Sequence, residues 1–168
     1  MQTDLLAPAT GPAPLVLGPD EGRATWVGGF LHTVKVDADQ TGGAFSLVDA
    51  VVPPGGGPPP HRHTGEAEAF VVLEGAFEFF CDGQTFTAGP GAVVYLPTGT
   101  VHTWRSLGPA DGRVLVVIAP GGFERYFDDV GVPAVAGEPA PPFTEADAAR
   151  MLATGAAYGL SFHLDPVP

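Results

Sequence analysis

HRHTGEAEAFVVLEGAFEFFCDGQTFTAGPGAVVYLPTGTVHTWRS, residues 61–106, decides the fold. Its apolar runs are short and rich in Val and Phe. Each ends at a turn signal: Gly75, Asp82-Gly83, Gly89-Pro90-Gly91, then Pro97-Thr98-Gly99. Asp-Gly between alternating hydrophobic residues is a strong hairpin signal. Short strands at this even spacing indicate a sandwich or barrel of antiparallel strands.

The same pattern extends to both sides. Upstream, PPGGGPPP at 53–60 cannot be helix, and its prolines cannot donate to a ladder, so it is a loop. AFSLVDAVV at 44–52 reads as strand, TGG at 41–43 as a turn, and FLHTVKV after Gly28 and Gly29 as another strand. Residues 1–24 are rich in Pro, Gly and Ala, with no period, and form an N-terminal arm. Downstream, Asp111-Gly112 turns the chain into VLVVI, which completes a barrel over 25–119. The pattern changes after Pro120. Phe123, Phe127 and Val130 stand at helical spacing over 123–130, and Thr144 is a candidate N-cap for a helix over 144–154 that Gly155 can end. Residues 120–168 are therefore expected to be a short helical C-terminal tail, with helices nowhere else.

At 168 residues the chain is long enough for one domain with its own core. Its 45% hydrophobic content excludes disorder, and 24 Gly with 19 Pro fit a fold with many turns. Acidic residues outnumber basic ones by 19 to 7, giving a formal charge of −12. That field repels phosphate backbones and anionic membrane surfaces, so neither nucleic acid nor membrane is an expected partner. The single Cys81 allows no internal disulfide and suits a reducing compartment. No basic leader and no apolar run of spanning length is visible, so the expected location is cytoplasmic.

Three of the five histidines and one carboxylate stand out: His61, His63, Glu68 and His102. His61 and His63 are two apart, so an extended segment turns both to one face. Glu68 opens the next strand-like run. His102 follows a turn that can bring a neighbouring strand beside them. Three imidazoles and a carboxylate suit one divalent transition metal (Fe, Mn, Ni, Co, Cu or Zn) and are a poor set for calcium.

These residues lie in a pattern that resembles the cupin superfamily. Gly55, His61, His63, Glu68 and Gly75 stand at the spacings of its first motif, Gly-x5-His-x-His-x4-Glu-x6-Gly. Gly91, Pro97, Gly99 and His102 stand at those of its second, Gly-x5-Pro-x-Gly-x2-His-x3-Asn, with Ser106 where Asn is usual. The resemblance implies an all-β double-stranded β-helix, or jelly roll, with the three His and the Glu meeting inside the barrel around one divalent ion. Over about residues 25–131 the flanking sequence is similar to small bacterial monocupins described as quercetin 2,3-dioxygenase-like. That narrower resemblance implies a dioxygenase acting on a flavonol or another enol-bearing aromatic compound, with dioxygen as co-substrate. A different cupin metalloenzyme, such as an isomerase or decarboxylase, and a non-catalytic metal-dependent binding protein are the alternatives. Many cupins dimerise, and a small barrel with open edges invites a homodimer.

With Glu68 inward, alternation turns Phe70 and Val72 inward too, and with His102 inward it does the same for Trp104. Glu78 is expected to face water, which puts Phe77, Phe79 and Cys81 inside. Phe70, Val72, Phe77, Phe79 and Trp104 are thus the expected substrate pocket, and Glu68 the expected catalytic base as well as a ligand. Glu66 competes for the Glu68 position. Arg62 is expected to face away from its neighbouring histidines. His32 is read as a satisfied edge or interface residue, and His163 has no partner spacing. Cys81 is read as a small buried hydrophobe, with no base near it in sequence.

Overall fold

The computed structural model describes residues 14–163. Among the described residues, twelve strands lie in two antiparallel sheets. The first half supplies β1 (Arg23–Val27), β2 (Phe30–Val36), β3 (Ser46–Val52), β4 (His61–His63), β5 (Ala67–Glu74) and β6 (Phe77–Cys81). The second half supplies β7 (Gln84–Ala88), β8 (Val93–Leu96), β9 (His102–Ser106), β10 (Gly112–Ala119), β11 (Val132–Pro133) and β12 (Leu160–Phe162). One sheet runs β11-β1-β2-β3-β10-β5-β8 and the other β12-β4-β9-β6-β7. The architecture is a double-stranded β-helix.

Alternation builds the interior. Along β10, Val114, Val116 and Ile118 are buried on one face, and along β5 Glu68, Phe70 and Val72 share the inward face. Glu68 is the polar exception in an otherwise apolar row. The Asp82-Gly83 turn has positive φ at both residues, 45° and 84°, and closes β6 onto β7 with Cys81 opposite Gln84. This is the geometry that Asp-Gly hairpins favour.

The loop at 53–60 stays against β9. Gly55 and Gly56 exchange backbone hydrogen bonds with Ser106, and the Thr103 hydroxyl donates to the Pro58 carbonyl at 2.6 Å. At Gly57 the backbones approach so closely that a Cβ would stand 1.9 Å from the Trp104 carbonyl oxygen. Only glycine fits there.

Among the described residues three α-helices are present rather than the two expected. α1 (Ala38–Thr41) lies between β2 and β3, where the sequence suggests only a turn. Asp37 caps it, Gln40 completes a capping box, and Gly42 ends it in the left-handed region. The fully buried Glu124 carboxylate accepts from the Ala38 and Gly122 backbone N–H groups at 3.0 and 2.7 Å, tying α1 to α2 (Glu124–Val130). α3 (Glu145–Gly155) starts at a Thr144–Asp147 capping box and runs past Gly155 into a 3₁₀ turn over Ala156–Tyr158.

The segment read as a helical tail also carries strands. β11 pairs with β1, and β12 extends the second sheet beside β4. Among the described residues no helix is long and apolar enough to cross a membrane. Residues 1–13 of the expected N-terminal arm lie outside the described residues.

Candidate metal centre

Three strands bring the four side chains together. β4 turns His61 and His63 inward and Arg62 outward, as their spacing predicts. His61 stands opposite His102 of β9. Glu68 reaches the same point from the facing sheet, where β5 is held between β10 and β8. All four residues are buried, and one ligand atom from each lies within 4.8 Å of the others.

The histidines are oriented from behind. Nδ1 of His61 is 2.9 Å from the Pro59 carbonyl, and Nδ1 of His102 is 3.2 Å from the Thr100 carbonyl. A carbonyl only accepts, so both Nδ1 atoms carry the proton and both Nε2 atoms keep a lone pair for the interior. The Nδ1 atom of His63 faces Glu66 Oε2 at 3.6 Å, just beyond hydrogen-bond range. Glu66 therefore stands behind His63, and it is Glu68 that enters the cluster.

Inside, Glu68 Oε2 lies 3.1 Å from His102 Nε2 and 3.7 Å from His63 Nε2. In its neutral tautomer His102 has no Nε2 proton for that contact. Two lone pairs facing each other at this distance suit neighbouring ligands of a cation, and the donor set of three imidazole nitrogens and a carboxylate oxygen fits a divalent transition ion. Electrostatics agree. Burial outweighs all else at His61 and, with the charges of His102 and His63, lowers its pKa to about 3 against the pull of Glu68 and the Pro59 carbonyl. Burial alone would raise the Glu68 carboxyl. The adjacent His102 ring and the positive charge that the three imidazoles carry when protonated outweigh it and hold the carboxyl at about 2. Neutral imidazole at His61 and ionised carboxylate at Glu68 are the forms that coordinate metals.

A cavity of about 170 Å³ opens beside the cluster. His61, His63 and Glu68 line it, together with Phe70 and Trp104. Val72, Phe77 and Phe79 do not. They face inward as expected but pack deeper, in the apolar core. Parity along a strand sets the face of a side chain, whereas lining a cavity also depends on its level along the barrel. Cys81 is only half-buried at the core's margin.

Much of the wall comes from residues the sequence did not single out as pocket. Phe123 stands edge-on to His63 at 4.4 Å between ring centroids, and Phe127, Phe143, Met151, Leu160 and Phe162 join it. His32 is a further correction. It lies on an inner strand, not an edge, and faces the cavity. Its phase with Phe30 and Val34 was the available signal, since both are buried on the same face.

Residues 48–118 match the Cupin domain family. The chain is 33% identical over 123 residues to quercetin 2,3-dioxygenase of Bacillus subtilis, a match covering 73% of this chain and 36% of that protein. The chain thus spans little more than a third of that relative's length. A polyketide cyclase from Streptomyces resistomycificus is structurally similar, with a TM-score of 0.55 and 27% identity over 64% of this chain and 80% of the cyclase. A predicted oxalate decarboxylase from Thermotoga maritima superposes with a TM-score of 0.58 at 21% identity, covering 63% of this chain and 99% of that one. That last likeness concerns the fold.

Proposed function

We propose, for a chain that belongs to the cupin superfamily, a metal-dependent dioxygenase of the quercetinase type acting on a flavonol or similar enol-bearing aromatic compound. The observation that carries the reading is the junction of a buried 3-His/1-Glu cluster with an aromatic cavity. The similarity to quercetin 2,3-dioxygenase supports the same chemistry. A divalent ion held by His61, His63, Glu68 and His102 would supply a Lewis-acidic position for an enol oxygen and a place to activate dioxygen.

The protein's own groups have separate tasks in this proposal. Pro59 and Thr100 carbonyls fix two imidazoles, and Glu66 backs the third. Phe70, Trp104 and Phe123 exclude water and hold a planar ring. Glu68 takes the enol proton. Cavity size limits the substrate. An engineered cavity of about 150 Å³ takes up benzene, so about 170 Å³ suits one aromatic ring. A flavonol must displace Phe143, which is half-exposed where it lines the cavity. A homodimer belongs to the same proposal, supported by the open outer edge of β8, where Val93 and Tyr95 are exposed.

The similarity to the polyketide cyclase supports a second reading, another cupin metalloenzyme whose reaction consumes no oxygen. One experiment separates them. Protein purified without chelator is mixed anaerobically with a flavonol or a smaller enol-bearing aromatic, and oxygen is then admitted. Oxygen uptake matching substrate loss is the expected result. Substrate loss without uptake favours the second reading, and binding without turnover rejects both.

A further inference from the structure

β2 turns His32 into the cavity from the inner part of the seven-stranded sheet, between Thr25 of β1 and Ala50 of β3. The imidazole is only 8% exposed. It stacks on Phe127 with 4.4 Å between ring centroids, and Phe30 lies 6.1 Å away. The Phe30 carbonyl is near enough to favour a ring proton, yet among the described residues Nδ1 makes no hydrogen bond of good geometry. Burial holds the ring neutral, with a pKa lowered to about 4. A neutral imidazole offers one donor and one acceptor.

A buried polar group without partners is costly, and proteins normally satisfy it internally. The buried Glu124 carboxylate illustrates the usual solution, with two backbone donors of its own. His32 has no such arrangement. It does face the cavity beside the metal cluster.

Its position relative to the metal centre is defined by rings. From His63 the wall passes to Phe123 at 4.4 Å, then to Phe127 at 5.5 Å, then to His32 at 4.4 Å. Polar groups therefore stand at two ends of a wall made by two phenyl rings.

We propose that His32 is the second polar anchor of this cavity, hydrogen-bonding a hydroxyl or carbonyl at the far end of an aromatic ligand whose near-end oxygen faces the His61–His63–Glu68–His102 cluster. The assignment rests on the reading of the cavity as a site for enol-bearing aromatics and narrows that class to molecules with two polar ends. A ligand with one polar end would leave the imidazole unpaired in an apolar wall, which is how a buried polar group discriminates between analogues.

The test compares 3-hydroxyflavone with 3,4′-dihydroxyflavone, binding to zinc-loaded protein under argon, in wild type and in His32→Leu and His32→Gln. The extra hydroxyl is expected to tighten binding about tenfold in wild type, partly in His32→Gln, and not in His32→Leu. In wild type, the His32 ring nitrogen resonances should move with the dihydroxy probe and not with the other. This second readout needs no variant to fold. An equal gain in wild type and His32→Leu, or unmoved His32 resonances with the dihydroxy probe bound, overturns the anchor and leaves the aromatic reading standing. Failure of both flavones to bind wild type overturns the anchor, and failure of the single-ring enol tropolone to bind as well overturns the aromatic reading.

Discussion

The metal cluster and the apolar wall of the cavity are made in different ways. At the metal end, four buried polar side chains converge from β4, β5 and β9, all within residues 61–102. In the wall, aromatic and aliphatic side chains come from β2, α2, α3 and β12, well over a hundred residues apart in the chain. The metal end gathers groups whose desolvation is unfavourable without a cation to share. The wall buries apolar surface, which stabilises the fold by itself. Chemistry and stability are thus assigned to different parts of one cavity, and substitutions should separate them.

The largest separation is expected at Glu68. Glu68→Gln keeps the size and an oxygen for coordination but cannot take a proton. Turnover should fall by about 10²–10⁴-fold, with metal content reduced far less. Steady-state kinetics beside elemental analysis checks this. Full turnover by Glu68→Gln would reject Glu68 as the base.

Phe123 probes the apolar wall. It is 4% exposed and packs on His63, Tyr126 and Phe127. Phe123→Ala should cost about 3–5 kcal/mol in denaturant unfolding while metal stoichiometry stays near that of wild type. Metal loss with little change in stability would erase the division between cluster and wall.

His32 gives a pH-dependent version of the same comparison. Its folded-state pKa is about 4 against an ordinary 6.5. Between those values the unfolded chain binds a proton that the folded chain does not. Stability from this group is full above about pH 6.5, declines as pH falls, and stops declining below about pH 4. The wild type should therefore lose about 3 kcal/mol more than His32→Leu across that interval. The His61 shift has the same sign but is common to both proteins, so the difference isolates His32. Parallel stability curves would contradict the burial described for it.

The metal end was legible in the sequence because its information is local. Two histidines two apart on a strand must share a face, and Gly75, Asp82-Gly83 and Gly99 impose turns through positive φ that other residues avoid. The apolar wall was not legible for the opposite reason. β12 has three residues, too few to display a period, and its value comes from pairing Leu160 with His63, nearly a hundred positions away. α1 is one turn long, so its Asp37–Gln40 capping box and Gly42 read equally well as a loop. The alternation that put Phe77, Phe79 and Val72 inside was right about their face and silent about their depth. His32 was misread because β2 gains its outer neighbour β1 through a tight Gly28-Gly29 turn, which makes an apparent edge strand an inner one.

The central claim is that His61, His63, Glu68 and His102 hold one divalent transition ion inside the barrel. Elemental analysis of protein purified without chelator, wild type beside the His61→Ala/His102→Ala double variant, tests it most directly. The prediction is close to one ion per chain in wild type and loss of most of it in the double variant. Equal occupancy in the two proteins would contradict the site.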